Sequence, residues 1–256
     1  MTFNNIDYQV EDHIGIITLN HPPANAWNLA TMTEFGQVLD MAGKDHQVRV
    51  LILTGGASKC FSAGFDVSDA ANAATTSSMG RELWKKLDTI KKPTIAAING
   101  HALGGGLELS LCCHFRIAAD SPGIKLGLTE LNLGIIPGWG GTQRLPRIVG
   151  RAKALDMILF SRLLDPKAAL DVGLVDRLVP SEALLETVRK LARELAARPP
   201  IAVGCVLEAM SAGLYQGLDP GLEKEAQGSA LVRDSEDRNE GFSAFLEKRK
   251  PVFQGK

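Results

Sequence analysis

Ser62-Ala63-Gly64-Phe65-Asp66 and Gly104-Gly105-Gly106-Leu107-Glu108 are two small-residue turns, each following an apolar, strand-like run at residues 51–54 and 94–98. Turns of this kind at neighbouring strand ends can present bare backbone N–H groups, and a pair of them can hold a carbonyl oxygen that is becoming negative. Three consecutive glycines weaken any regular element, so residues 104–106 need a reason. Close approach of a flat acyl group to the main chain supplies one. A helix starting near Gly105 would add its own free N–H groups and dipole. The competing reading is a merely structural strand-to-helix turn. No Gly-Lys-Ser/Thr follows, so the run is not a phosphate loop, and its spacing is not a dinucleotide fingerprint.

Two carboxylates sharpen the reading. Glu108 falls in the first turn of that helix, on the face of Gly105, because i and i+3 are neighbours. A glutamate also suits a helix N-terminus for dipole reasons alone. Glu130 sits among Leu126, Leu128, Leu131, Leu133, Ile135 and Ile136. The dipole should keep Glu108 ionised, while apolar surroundings should raise the pKa of Glu130. Glu108 is then expected to orient and deprotonate a water, and Glu130 to exchange a proton at the carbon beside the carbonyl.

Working outward, residues 13–19 (HIGIITL), 49–54 (RVLILT), 94–98 (TIAAI) and 115–118 (FRIA) are short apolar strands. Residues 29–42 carry Met32, Phe35, Val38 and Leu39 at helical spacing. This alternation is the βα rhythm of a parallel sheet buried on both faces. Residues 70–78 (AANAATTSS) are small and polar and are expected to bury little. They read as a solvated linker, with a lid over the site as the functional alternative. From Gly140 onward strands nearly vanish. Residues 181–197 form a helix ended by Arg198-Pro199-Pro200, and Val203, Val206, Leu207, Met210 and Leu214 stripe the next. A last helix carries Phe242, Phe245 and Leu246. The chain divides into an α/β core, 1–197, and a helical C-terminal part, 198–256.

With 28 basic and 29 acidic residues, the charge gives no general pull toward nucleic acid or an anionic membrane. The four cysteines, Cys60, Cys112, Cys113 and Cys205, form no Cys-x-x-Cys and read as reduced, structural thiols. His101 and His114 have no acidic partner in a ligand pattern, so no metal site is expected. Trp84 and Trp139 read as core rather than as ligand-stacking platforms. Gln143-Arg144 reads as a helix start that stabilises the fold. No leader pattern or membrane span is apparent, which makes the cytoplasm the expected location.

The segments FSAGFD, NGHALGGGLEL, LGLTELNLGIIPGWGGTQRLPRIVG and RNEGFSAFLEKRK, in this order and spacing, resemble the enoyl-CoA hydratase (crotonase) family over nearly the whole chain. The resemblance implies a crotonase-like spiral of ββα units, with the C-terminal helices joining subunits into trimers or hexamers. It also implies acyl-CoA thioester substrates, coenzyme A being part of the substrate and no separate cofactor being needed. Phe65 and Gly105 match the two oxyanion-hole residues, and Glu108 and Glu130 match both acids of the true hydratases. Gly138 matches a pocket glycine whose N–H helps place the water. Ala24, Ala26, Ala63, Gly64 and Asp66 fall where coenzyme A lies along main chain. Lys59 matches a lysine near the nucleotide phosphates, and Lys248-Arg249-Lys250 is either an aid from a neighbouring subunit or a solvated basic end. The implied reaction is addition of water to a 2-enoyl-CoA, giving a 3-hydroxyacyl-CoA. Double-bond isomerisation and hydration of a branched substrate are the nearby alternatives, and RNA or partner binding the more distant one. The chain departs from the pattern in three respects. Threonine replaces the usual proline before Glu130, Pro122-Gly123 lengthens the interval between the acids, and Phe65 and Trp139 are bulky.

Overall fold

The structure is a computed structural model and describes residues 3–256. Strands β1 (Ile6–Glu11) and β2 (Ile14–Leu19) form an antiparallel hairpin. Its two turn residues, Asp12 and His13, both have positive φ, the turn whose twist matches paired strands. Helix α1 (Leu29–Lys44) follows, its first turn closed by Asn28, whose side chain accepts from Thr31 N.

The chain then winds through three similar turns, each two strands and a helix. The first comprises β3 (Val50–Thr54), β4 (Cys60–Ser62) and α2 (Ala73–Asp88). The second comprises β5 (Thr94–Ile98), β6 (His101–Leu103) and α3 (Gly105–Leu111). The third comprises β7 (Phe115–Ala119), β8 (Leu126–Gly127) and α4 (Gly141–Val149). The first strand of each turn joins a large sheet and the second joins a small one. After α5 (Arg151–Leu159) and α6 (Pro166–Asp171), β9 (Arg177–Val179) completes the large sheet in the order β1-β2-β3-β5-β7-β9. The small sheet runs β4-β6-β8, parallel throughout. This is the expected spiral of ββα units.

The small sheet corrects one expectation. The strands at 51–54 and 94–98 do pair, Leu51 opposite Thr94, but they do not lead directly into the two turns. The three-residue strands β4 and β6 intervene, too short to leave a periodic signal. The hairpin strand β1, the two-residue β8 and the late β9 were likewise unmarked.

Residues 70–78 are a second correction. They complete a 3₁₀ turn, Val67–Asn72, and begin α2, so the linker reading does not hold. Of these nine residues only Thr76 is buried, as their composition predicts. The helix is anchored downstream, where Gly80, Trp84 and Leu87 continue the same buried face. Trp84 packs edge-on to Trp27 at 4.9 Å and to Phe35 at 5.8 Å, contacts each worth about 0.5–1.5 kcal/mol beyond area burial. Trp27 Nε1 donates to Ser62 Oγ at 2.9 Å and Ser62 Oγ donates to the Asn25 carbonyl at 2.8 Å. The core thereby fixes the end of β4.

Helices α7 (Leu184–Ala196), α8 (Pro200–Gln216), α9 (Leu218–Arg233) and α10 (Glu236–Glu247) close the chain. Glycines let α8 and α9 approach as a hairpin: a Cβ on Gly221 would stand 2.8 Å from Gly213 Cα, and one on Gly228 2.8 Å from Cys205 Cβ. Much of the apolar stripe read on α8 faces outward, with Val206, Met210 and Leu214 exposed alongside Leu218, Leu222, Phe245 and Leu246. Among the described residues, no helix is long and apolar enough to cross a membrane.

Candidate active site

Each strand of the small sheet delivers one part of the site. Strands β4 and β6 pair in parallel, Ser62 opposite Ala102, so the turns after them leave the same edge side by side. The approach is tight. A Cβ on Gly64 (φ +85°) would stand 2.8 Å from Gly105 N, and one on Gly106 would collide with the Ser62 carbonyl. Gly104, at φ +51° and ψ −128°, occupies backbone space open in practice only to glycine.

The hydrogen bonding around the turns leaves donors over. Trp27 N donates to the Gly64 carbonyl and Asp66 N to the Trp27 carbonyl, and Gly104 N donates to the Gly127 carbonyl. Among the described residues, the N–H groups of Phe65 and Gly105 have no acceptor. Gly105 is the first residue of α3, where an amide has no intrahelical partner.

Strand β8 lies against the other edge of β6, Leu103 opposite Gly127. It leads into a 3₁₀ turn, Glu130–Leu133, that sets Glu130 against the glycines: a Cβ on Gly104 would stand 3.1 Å from Glu130 Oε1. Glu130 Oε2 is buried and has no protein partner among the described residues. Glu108, 2% exposed, is held at one oxygen. Its Oε1 accepts from Trp139 N at 2.8 Å and Gly141 N at 2.6 Å, which leaves Oε2 for the cavity.

That cavity has a volume of about 1360 Å³, and Ala63, Phe65, Gly105, Glu108, Glu130 and Gly138 all line it. The other expected substrate contacts, Ala24, Ala26, Lys59, Gly64 and Asp66, lie outside its lining. The Ala24 carbonyl accepts from Ala63 N and the Lys59 carbonyl from His101 N. The Ala26 carbonyl bonds His21 Nδ1, and Asp66 caps Ser68. Lys59 is exposed and Gly64 is buried.

The family model described as enoyl-CoA hydratase/isomerase matches residues 9–256. A probable enoyl-CoA hydratase of Bacillus subtilis is 41% identical over 98% of this chain and 99% of its own length. A crotonyl-CoA hydratase of Syntrophomonas wolfei is 37% identical over the whole of both chains. Among solved structures, an enoyl-CoA hydratase from Bacillus anthracis superposes with a TM-score of 0.94 at 41% identity, covering 99% of this chain and 100% of its own. The chain belongs to the enoyl-CoA hydratase/isomerase family.

In this family member, burial dominates the electrostatics of both acids. Desolvation pushes Glu108 up to about 7, with a further push from the neighbouring Glu130 carboxylate; the amides of Gly141 and Trp139 and the charge of Arg144 work against it. The expectation that the helix dipole keeps Glu108 ionised across the ordinary range is therefore corrected. A helix of seven residues offers little dipole against near-complete burial. Burial also raises Glu130 above the usual carboxylate range, as its apolar sequence neighbours suggested.

The sequence reading placed the pocket amide at Gly138. Gly138 lines the cavity, and beside it in the Pro137-Gly138-Trp139-Gly140-Gly141 run the amides of Trp139 and Gly141 grip Glu108. Trp84 is fully buried and donates from Nε1 to the Gly105 carbonyl at 3.2 Å. Trp139 is buried against it and also lines the cavity. His101 Nδ1 accepts from Lys125 N, and His114 Nδ1 bonds Thr94. All four cysteines are free thiols. Of the wall formed by α2, whose Ala73, Ser77, Arg81 and Lys85 recur every four residues along the cavity, the sequence reading reached only residues 70–78, as the lid alternative to a linker.

Proposed function

We propose that the chain is an enoyl-CoA hydratase, adding water across the 2,3 double bond of a 2-enoyl-CoA to give a 3-hydroxyacyl-CoA. One observation carries this reading: two unpaired N–H groups and two buried carboxyls converge on one cavity. The thioester carbonyl accepts from Phe65 N and Gly105 N. As water oxygen bonds to C3, the alkene electrons move onto the thioester as an enolate, and the two amides stabilise it, each worth ~2.7–4 kcal/mol by analogy with acyl-transfer sites.

Glu108, ionised above about pH 7, takes the proton lost by the water. Glu130, whose carboxyl burial pushes above the usual carboxylate range, gives its proton to C2. The cycle resets when the proton on Glu108 passes to Glu130, so the net change is one water gained. No electrons are exchanged, and the reaction asks for no redox group.

Coenzyme A runs from the cavity along Ala24, Ala26, Ala63, Gly64 and Asp66, with Lys59 beside its phosphates. The exposure of Lys59 and the Ala63–Ala24 hydrogen bond at the cavity edge support this path. Residues 198–256 join subunits into a trimer or a pair of trimers, a role supported by the apolar side chains that α8, α9 and α10 leave exposed. The compartment we propose is the cytoplasm.

The test is turnover of a panel of 2-enoyl-CoA thioesters, followed by loss of conjugated absorbance with product identification. Formation of 3-hydroxyacyl-CoA is expected. Migration of the double bond without water uptake, or binding without turnover, would overturn the reading.

A further inference from the structure

The turn that grips Glu108 is itself gripped from behind. The Trp139 amide directs its N–H to Glu108 Oε1 at 2.8 Å, and the Trp139 carbonyl accepts from Arg144 Nη1 at 2.9 Å. Arg144 Nε donates to Asp88 Oδ2 at 2.9 Å, and Tyr215 Oη donates to the same oxygen at 2.7 Å. The arginine and aspartate side chains are only 11% and 14% exposed, so this pair is largely shielded from water. Two glycines make the grip possible. A Cβ on Gly140 would collide with the Arg144 guanidinium, and a Cβ on Gly141 would stand 3.0 Å from Glu108 Oε1. The guanidinium therefore closes on one side of the turn and the carboxylate on the other.

We propose that Arg144 is a positioning residue for Glu108, and that Asp88 and Tyr215 act through it to tie the orientation of the acid to helix α8. The inference rests on the hydration reading above. Arg144 itself lines the cavity, and in this role it acts through the peptide whose N–H aims the carboxylate. The chain of contacts joins four separate elements, Glu108 on α3, Arg144 on α4, Asp88 at the end of α2 and Tyr215 on α8. A shift of α8 is thereby felt at the base.

A purely structural arginine would give a different set of kinetic results. Arg144→Gln is expected to lower kcat by ~10²-fold, the loss a 1 Å misplacement can produce, with KM changed by less than about threefold. The groups facing Glu108 are Glu130 from the 3₁₀ turn, Cys112 just past the end of its own helix and Arg144, with Asp88 and Tyr215 behind the arginine. Because the arginine charge favours ionised Glu108, Arg144→Gln also moves the acid limb of the pH–rate profile upward. Arg144→Lys keeps the charge but cannot bridge both partners, so it lowers kcat and leaves that limb in place.

The decisive readout is a double-mutant cycle. On a Glu108→Gln background there is no base to aim, so Arg144→Gln costs less than about twofold. Tyr215→Phe, at the rim of the network, follows the same rule with a smaller loss, about twofold to fivefold alone and none on the Glu108→Gln background. It serves where thermal melts show that Arg144→Gln does not fold. Equal fold-losses on both backgrounds, or unchanged kcat in folded Arg144→Gln and Arg144→Lys, would overturn the proposal. Full activity of Glu108→Gln alone would remove the hydration reading beneath it, a separable result.

Discussion

Replacing Glu108 by glutamine should stabilise the protein, and by an amount set by pH. Burial raises the Glu108 carboxyl from an ordinary 4.5 to about 7, so the folded chain binds its proton more tightly than the unfolded chain does. The associated stability is fully present below pH 4.5 and is lost as pH climbs to about 7. At roughly 1.36 kcal/mol per pH unit, the ionised group destabilises the fold by about 3 kcal/mol above that range. Glutamine keeps an oxygen for the Trp139 and Gly141 amides and never ionises. Urea denaturation at constant ionic strength should show Glu108→Gln and the parent nearly level at pH 4.5, diverging to about 3 kcal/mol by pH 8. Glu130, also raised by burial, is present in both chains and largely cancels. A gap that stays constant with pH, or a parent that gains on the variant as pH rises, would refute the reasoning.

The activity of the parent should show an acid limb near pH 7, where Glu108 gains its proton, and that limb should disappear in Glu108→Gln. On the proposed mechanism Phe65→Ala should keep kcat within about threefold, since there the backbone N–H and not the ring meets the oxyanion. Gly105→Ala should lose ~10²–10³ in kcat, since the new methyl collides with Trp139 and disturbs both the hole and the Glu108 support. Asn25, buried at 3% exposure, bonds the carbonyls of Gly55 and Cys60 through Nδ2 at 3.1 and 3.0 Å. Asn25→Ala should cost at least ~2 kcal/mol in urea denaturation by stranding them, and should lower kcat as β4 loosens.

The parts of the fold that the sequence announced are those with strong local periodicity. Strands β2, β3, β5 and β7 are apolar and β-branched, and α1 and α8 carry apolar residues at helical spacing. Strands β4, β6 and β8 span two or three residues, below any periodic signal, yet they place every group at the centre of the site. The glycine turns and the two acids were legible because such residues are costly without a purpose. Glu108 ionisation was misjudged because burial is a property of the packed chain; nothing local to 105–111 shows that Trp139 and Gly141 close over it. The Asp88–Arg144–Tyr215 network joins residues 56 and 127 positions apart, and separation of that size leaves no sequence signature.

The central claim is that two acids flank one enolate cradle, and rates of hydration in the single Glu→Gln variants test it most directly. With saturating 2-enoyl-CoA, and folding checked by melting curves, Glu108→Gln and Glu130→Gln should each lower kcat by ~10²–10⁴ while still binding the thioester. Parent-like kcat in either folded variant would contradict the account.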